Sequence, residues 1–371
     1  MSCPRIYLIG PAGSCGKFFE QIGDNSAVRF LERVQKIVGT SFEITGDLKL
    51  LDAKEDELNG GRQDDYVRAS DIEMELGSDD TIAIIAIRGG AWFTRVLPKI
   101  DFTVLDRRTR PILVFGFSEL TTLVNIVADH PMGRGIYDTG PAFLKYGLKR
   151  YAETRLGLKS EAAQGASNDG NSATTSDEWM NARLAGEMET YFRDTVSIIS
   201  GHGTTREITA REIHPTVLCN HEKPESLPER FEASIVGGNL VVLCTLLGSR
   251  WRNCVDPTDR WLVLEDLNEK PERLDRFLSQ LTLAGFWNRC RGLLLGDFHK
   301  EEQTLTDAVL GILKYHLPSD REVPILVTSD IGHIWPVSPL LLNKPISFRR
   351  KDSDQWILSW DHAQLDSELG R

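Results

Sequence analysis

The sequence predicts an α/β protein built from two units, and three observations carry that expectation. Short, fully apolar runs alternate with helical patterns over residues 1–150. A polar stretch then interrupts the chain at 159–178, and a second series of apolar strands and helices follows it. Continuous apolar strands alternating with helices indicate a parallel sheet covered on both faces. The length of 371 residues fits two or three domains.

In chain order, residues 5–9 read as a strand, 28–38 as an amphipathic helix and 81–87 as a buried strand. Residues 111–117 (PILVFGF) form another apolar strand, and helical periodicity resumes over 121–128. Residues 1–150 are therefore assigned to an N-terminal α/β domain. The stretch 159–178, KSEAAQGASNDGNSATTSDE, has four alanines as its only apolar side chains. It cannot bury enough surface to offset its ordering entropy, so 151–184 is expected to be a linker with a polar insertion. Residues 185–371 form the second α/β domain. There, 235–247 reads as a glycine turn entering a long apolar stretch, and 261–264, 292–295 and 324–328 read as strands. Leu274, Phe277, Leu278 and Leu281 recur at helical spacing within 272–284, with Gly285 at the C-terminal end. Residues 346–360 read as a hairpin turning at 351–354.

Composition excludes several function classes. Hydrophobic residues at 41% and charged residues at 26% are globular values. The 43 basic and 54 acidic side chains leave a net charge of −11, which argues against nucleic acid as a partner. The start, MSCPRIYLIGPAGSCG, lacks the apolar core of a signal peptide. The longest apolar runs, 81–87 and 240–247, fall far short of the ~18–20 residues of a membrane span. A cytoplasmic protein with no membrane partner is expected. The six cysteines (Cys3, Cys15, Cys219, Cys244, Cys254, Cys290) contain no CxxC pair, and no HExxH occurs. Free thiols, no metal and no cofactor are expected.

The segment GPAGSCGK (10–17) follows a strand and invites comparison with a phosphate loop. That motif needs four residues between its glycines and then Lys-Ser/Thr. Here five residues separate Gly10 from Gly16, and Phe18 follows Lys17. No GxGxxG is present either. The loop turns the chain at the carboxyl edge of the sheet, where ligands bind in such folds.

Ser118 is the more informative residue. The apolar strand ends at Gly116-Phe117, Ser118 follows, and helical periodicity begins almost at once. A serine on a sharp strand-to-helix turn exposes its hydroxyl next to unpaired helix N–H groups. Leu120 occupies the place of the second glycine of GxSxG, and Ser118 as a plain helix N-cap is the competing assignment. A serine nucleophile needs a base and an orienting acceptor. Of the eight histidines (His130, His202, His214, His221, His299, His316, His333, His362), only His333 directly follows an apolar strand and a glycine turn. Glu265 closes the strand WLVLE, where a solvated strand terminus is the alternative role.

Six segments in order, IRGGAWFTRVLPKID (87–101), VFGFSELT (114–121), TGP (139–141), VGGNLVVLCTLLGS (236–249), LVLEDLNEKPERLDRFLSQLTLAGFWNRCRGLLLGDF (262–298) and IGH (331–333), resemble the LD-carboxypeptidases. These are the murein tetrapeptide carboxypeptidases and the related microcin-immunity peptidases. The resemblance spans about residues 5–350, broken by the polar insertion. It implies a flavodoxin- or Rossmann-like N-terminal sheet and a C-terminal mixed α/β domain of the swivelling β/β/α kind. It also implies a serine peptidase with a Ser–His–Glu triad, whose members fall on Ser118, His333 and Glu265. The backbone of Glu119 and the Gly89-Gly90 loop would bind the oxyanion and substrate. Release of D-alanine from a muropeptide in cell-wall recycling, without cofactor or metal, is the implied activity, and a homodimer the implied assembly. The alternatives are an immunity-type peptidase acting on peptide or aminoacyl-nucleotide antibiotics, and a non-catalytic binding protein on the same fold. Two positions depart from the family pattern. Glu119 stands where Asp is usual after the nucleophile, and Ala91-Trp92 stand where Tyr-Gly often follows RGG.

Overall fold

The computed structural model describes residues 3–160, 174–202, 205–213, 227–301 and 303–366. The first sheet is built from β1 (Arg5–Ile9), β2 (Glu43–Thr45), β3 (Thr81–Ala86), β4 (Ile112–Gly116) and β5 (Gly133–Tyr137). All of these pair in parallel. Because helices cover both faces, the strands can be apolar on both sides: Leu8, Ile84, Ile85, Val114 and Phe115 are all buried.

Local signals set the helix ends. Helix α1 (Gly16–Gln21) turns out of the glycine-rich loop, and α2 (Ala27–Val38) starts at Ser26, whose side chain accepts from Arg29 N. Helices α3 (Leu48–Leu51) and α4 (Asp65–Gly77) precede β3. Helix α5 (Thr121–Asp129) links β4 to β5, and α6 (Leu144–Thr154) follows β5.

The span 151–184 is not a linker throughout. Residues 151–154 close α6, and α7 (Ser176–Ser200) begins inside the stretch expected to be polar insertion. A reciprocal capping box starts α7: Thr175 accepts from Glu178 N, and the Glu178 carboxylate accepts from Thr175 N. Read as composition, TTSDE is loop-like; read as position, it is a helix start. Residues 161–173 lie outside the described residues. Helix α7 packs on α2 and α6, so it belongs with the first sheet rather than with the second domain.

The second sheet comprises β6 (Arg206–Ile213), β7 (Arg230–Asn239), β8 (Trp261–Leu267), β9 (Gly292–Lys300), β10 (Gln303–Thr304), β11 (Ile325–Val327), β13 (Pro345–Arg350) and β14 (Gln355–Trp360). Its order is β10-β9-β11-β6-β14-β13-β7-β8, and β8 also pairs with β9, so the sheet closes on itself like a barrel. Helices α8 (Leu240–Leu246), α9 (Pro271–Leu283), α10 (Thr306–Leu313) and α11 (His362–Asp366) complete this half. The short β12 (Leu340–Leu341) leaves it and adds antiparallel to β5 at the edge of the first sheet. A cut near residue 185 therefore misses two exchanges between the halves.

The expected glycine turn at 237–238 is instead the end of β7. Gly237 and Gly238 have φ of +122° and +138°. A Cβ on Gly238 would lie 2.7 Å from the Tyr137 ring and 2.9 Å from Thr121. Glycine is what lets β7 approach the first sheet so closely. The side chain of Asn125 uses that approach: Nδ2 donates to Gly237 O (2.8 Å), and Oδ1 accepts from Gly237 N (3.0 Å).

Next to this seam, Asp138 is almost fully buried. Burial pushes its carboxyl up to about 7, against the opposing effects of the Thr139 backbone N–H and the Arg206 charge. A carboxyl raised on folding favours the native state below its unfolded value and loses that contribution as pH rises through about 7. Asp138→Asn should therefore raise Tm at pH ~8 and gain progressively less towards pH ~4. A gain that grows on acidification would contradict the assignment.

Candidate functional site

Ser118 ends the turn after β4 with φ +60°, the left-handed region that only a tightly held side-chain-bearing residue adopts. Its side chain makes no cap to the following helical turn, which removes the N-cap assignment. The close approach of Gly89 is required here: a Cβ on Gly89 would sit 2.9 Å from Ser118 Cβ and 3.3 Å from Oγ. Gly90, at φ +135°, lies equally tight against Gly13.

Three backbone groups around Ser118 are tied to neighbouring side chains. Ser118 N donates to Tyr137 Oη (3.4 Å), and Thr121 Oγ1 donates to Ser118 O (2.6 Å) while accepting from Asn239 N (3.1 Å). These bonds couple the turn after β4 to the end of β7.

Glu265 and His333 come from the other half. Glu265 is fully buried at a register shift between β8 and β9. Gly296 of β9 leaves room for it, since a Cβ there would lie 3.1 Å from Glu265 Cβ. His333 follows Gly332, whose φ is +124° and whose Cβ would press on Asp297. The three side chains form one hydrogen-bonded chain. Ser118 Oγ lies 3.2 Å from His333 Nε2, and His333 Nδ1 lies 2.7 Å from Glu265 Oε2. The other carboxylate oxygen of Glu265 accepts from Tyr137 Oη (2.7 Å) and from Asn239 Nδ2 (3.3 Å). A buried carboxylate so supplied with donors, against His333, is not a solvated strand end. Burial raises the Tyr137 hydroxyl well above its ordinary value, and the Glu265 charge adds to this, so Tyr137 stays a donor.

A cleft of about 430 Å³ opens on this chain. Gly89, Gly90, Phe143 and Tyr146 line it beside Ser118 and His333, and Lys17 and Arg88 bring positive charge to it. Lys17 thus reaches the cleft from the loop that failed as a phosphate motif. Phe117 packs against the His333 ring at 4.2 Å between centroids, and Phe143 at 5.6 Å, fixing the plane of the imidazole.

Glu119 faces away from the chain. Its Oε1 accepts from Phe93 N (3.1 Å) and Thr94 N (3.3 Å). Burial raises its carboxyl, opposed by those two N–H groups. Glu119→Ala leaves both N–H groups without that acceptor and should cost about 1–3 kcal/mol of stability in urea unfolding; an unchanged midpoint would show that the carboxylate holds nothing. Trp92, at φ +74°, lies against Gly61 and under the Arg95 guanidinium rather than among the cleft residues.

Among the remaining histidines, His130 pairs with Asp106 and His316 with Asp275, both away from Ser118. His214 and His221 lie outside the described residues. Among the described residues, no group of three or more His, Cys, Asp or Glu is placed to hold a metal ion, and no helix is long and apolar enough to cross a membrane.

The model of the LD-carboxypeptidase N-terminal domain matches residues 6–136, and that of the C-terminal domain matches residues 232–348. Together they cover about two thirds of the sequence. The chain belongs to the LD-carboxypeptidase family. Ser118 falls in the first matched domain and Glu265 and His333 in the second. The chain is similar to a probable murein peptide carboxypeptidase of Bacillus subtilis, at 26% identity over 281 residues, 74% of this chain and 70% of that protein. A solved muramoyltetrapeptide carboxypeptidase from Oxalobacter formigenes covers 95% of this chain and 98% of its own, at TM-score 0.58 and 18% identity. An MccF-like protein from Streptococcus pneumoniae, solved with AMP, covers 97% of this chain and 100% of its own, at TM-score 0.61 and 18% identity. This LD-carboxypeptidase family member is thus a peptidase with the α/β sheet and barrel-like sheet of those structures.

Proposed function

We propose that the chain is a serine carboxypeptidase that cleaves an L-to-D peptide bond and releases the terminal D-alanine of a murein tetrapeptide. The observation that supports it most is the Ser118–His333–Glu265 chain at 3.2 and 2.7 Å, open to a cleft and assembled from both halves.

His333 Nδ1–H donates to Glu265, so Nε2 carries the lone pair and accepts the Ser118 proton as Oγ attacks the amide carbonyl. Glu265 stabilises the imidazolium that forms. The tetrahedral oxyanion needs backbone donors, and Ser118 N is already engaged with Tyr137. The N–H of Glu119 and the Gly89-Gly90 loop take that role, each donor contributing roughly 3–4 kcal/mol to the transition state. His333 then protonates the departing amine. Water, deprotonated by the same nitrogen, releases the acyl group from Ser118.

The test is incubation with L-Ala-γ-D-Glu-meso-diaminopimelate-D-Ala, with D-alanine followed by mass spectrometry; an aminoacyl sulfamoyl-adenosine runs in parallel. Release of D-alanine with the nucleotide analogue left intact is the expected result. Cleavage of the analogue alone would move the protein to the immunity branch. Because all the proton transfers run through side chains, EDTA should leave the rate unchanged, and inactivation reversed by added zinc would contradict the mechanism.

A further inference from the structure

A second hydrogen-bonded chain ends in the same cleft. Tyr146, 41% exposed, lines the cleft one ring beyond His333, with Phe143 between them at 5.3 and 5.6 Å. Its hydroxyl lies 3.0 Å from Nε2 of His299, a fully buried residue on β9. His299 Nδ1 in turn lies 2.5 Å from Asp297 Oδ2. Arg150 of α6 grips Asp297 from the other side, Nη1 donating to Oδ2 (2.8 Å) and Nη2 to Oδ1 (3.4 Å). The same Nη1 donates to the carbonyl of His333 (3.1 Å).

The chain has a direction. Burial acts to raise Asp297, but the His299 hydrogen bond and the charges of Arg150 and His299 outweigh it and hold the carboxyl below its ordinary value. An ionised carboxylate only accepts, so Nδ1 carries the proton between the two. In the neutral ring Nε2 is then the acceptor, and the single Tyr146 proton is spent on it. What remains on the Tyr146 oxygen is lone-pair capacity. The other polar side chains of the cleft wall include the cations Lys17 and Arg88, which suit a carboxylate. Tyr146 suits the opposite kind of group.

We propose that Tyr146 is a specificity-determining residue whose hydroxyl, oriented by His299 and Asp297, accepts a hydrogen bond from an amino group on the substrate and so selects a diamino-acid residue over an aliphatic one. The proposal rests on the assignment of this cleft as the peptide site, and its test is a binding measurement that does not depend on turnover.

Two tetrapeptides that differ only in their third residue, L-lysine in one and L-norleucine in the other, are titrated by calorimetry into Ser118→Ala protein and into Ser118→Ala/Tyr146→Phe protein. The phenylalanine keeps the ring against Phe143 and removes only the oxygen. A hydrogen bond to a charged group changes affinity by about tenfold or more. The lysine peptide is expected to bind at least tenfold tighter than the norleucine peptide when Tyr146 is present, and about equally when it is phenylalanine. Equal binding to the Tyr146 protein, or a preference that survives Tyr146→Phe, would overturn the proposal. The expected preference in a wild-type protein that releases no D-alanine would support the binding role and count against the hydrolytic mechanism alone.

Discussion

Ser118→Ala should lower kcat/KM for the tetrapeptide by about 10⁴-fold or more while leaving the fold in place. Removing the nucleophile of a serine peptidase costs on the order of 10⁶ in kcat, the remainder coming from binding and oxyanion stabilisation. The fold should survive because the bonds that hold this turn are made by backbone atoms. Ser118 N still reaches Tyr137, and Ser118 O still accepts from Thr121. Alanine tolerates φ +60° about as poorly as serine does, so little strain is added. Circular dichroism and Tm should match the wild type, and activity is read as D-alanine release.

Glu265→Gln should be nearly as severe, for a reason visible in the hydrogen bonds. The Oε1 position receives two donors, Tyr137 Oη and Asn239 Nδ2. The glutamine carbonyl must face them, which turns its NH₂ towards His333 Nδ1. The imidazole then accepts at Nδ1 and carries its proton on Nε2, where it can no longer take the Ser118 proton. Loss of the right tautomer in a serine peptidase triad lowers kcat by about 10⁴. The variant is isosteric at a fully buried position and removes a buried charge, so stability should hold or rise. A Glu265→Gln enzyme within tenfold of wild type would show that the carboxylate does not orient the histidine.

Much of this was legible in the chain itself. Continuous apolar runs such as PILVFGF mark buried strands because both faces are covered, and the strands β1, β3, β4, β8 and β11 lie where those runs fall. The hairpin of β13 and β14 turns where polar residues break the alternation. Ser118, Glu265 and His333 each follow an apolar strand, and the structure brings those three strand ends together. Tyr137 also ends a strand, one that pairs with β4 so that Gly116 faces Tyr137. Nothing in a tyrosine after GRGI says that its hydroxyl will meet a glutamate 128 residues later.

What stayed hidden depends on long-range closure. The β8–β9 pairing that closes the barrel-like sheet and the passage of β12 into the first sheet are properties of topology, which local periodicity does not encode. The start of α7 was hidden by composition, because TTSDE looks like loop until the capping box is read as position. Gly237-Gly238 suggested a turn because glycine does serve turns; here it serves an approach between halves that only the folded chain reveals.

The most direct measurement compares wild-type and Ser118→Ala protein at equal concentration on L-Ala-γ-D-Glu-meso-diaminopimelate-D-Ala, quantifying free D-alanine and tripeptide by mass spectrometry. The account predicts stoichiometric D-alanine and tripeptide from the wild type and at most a trace from Ser118→Ala. Comparable release by both proteins would contradict it.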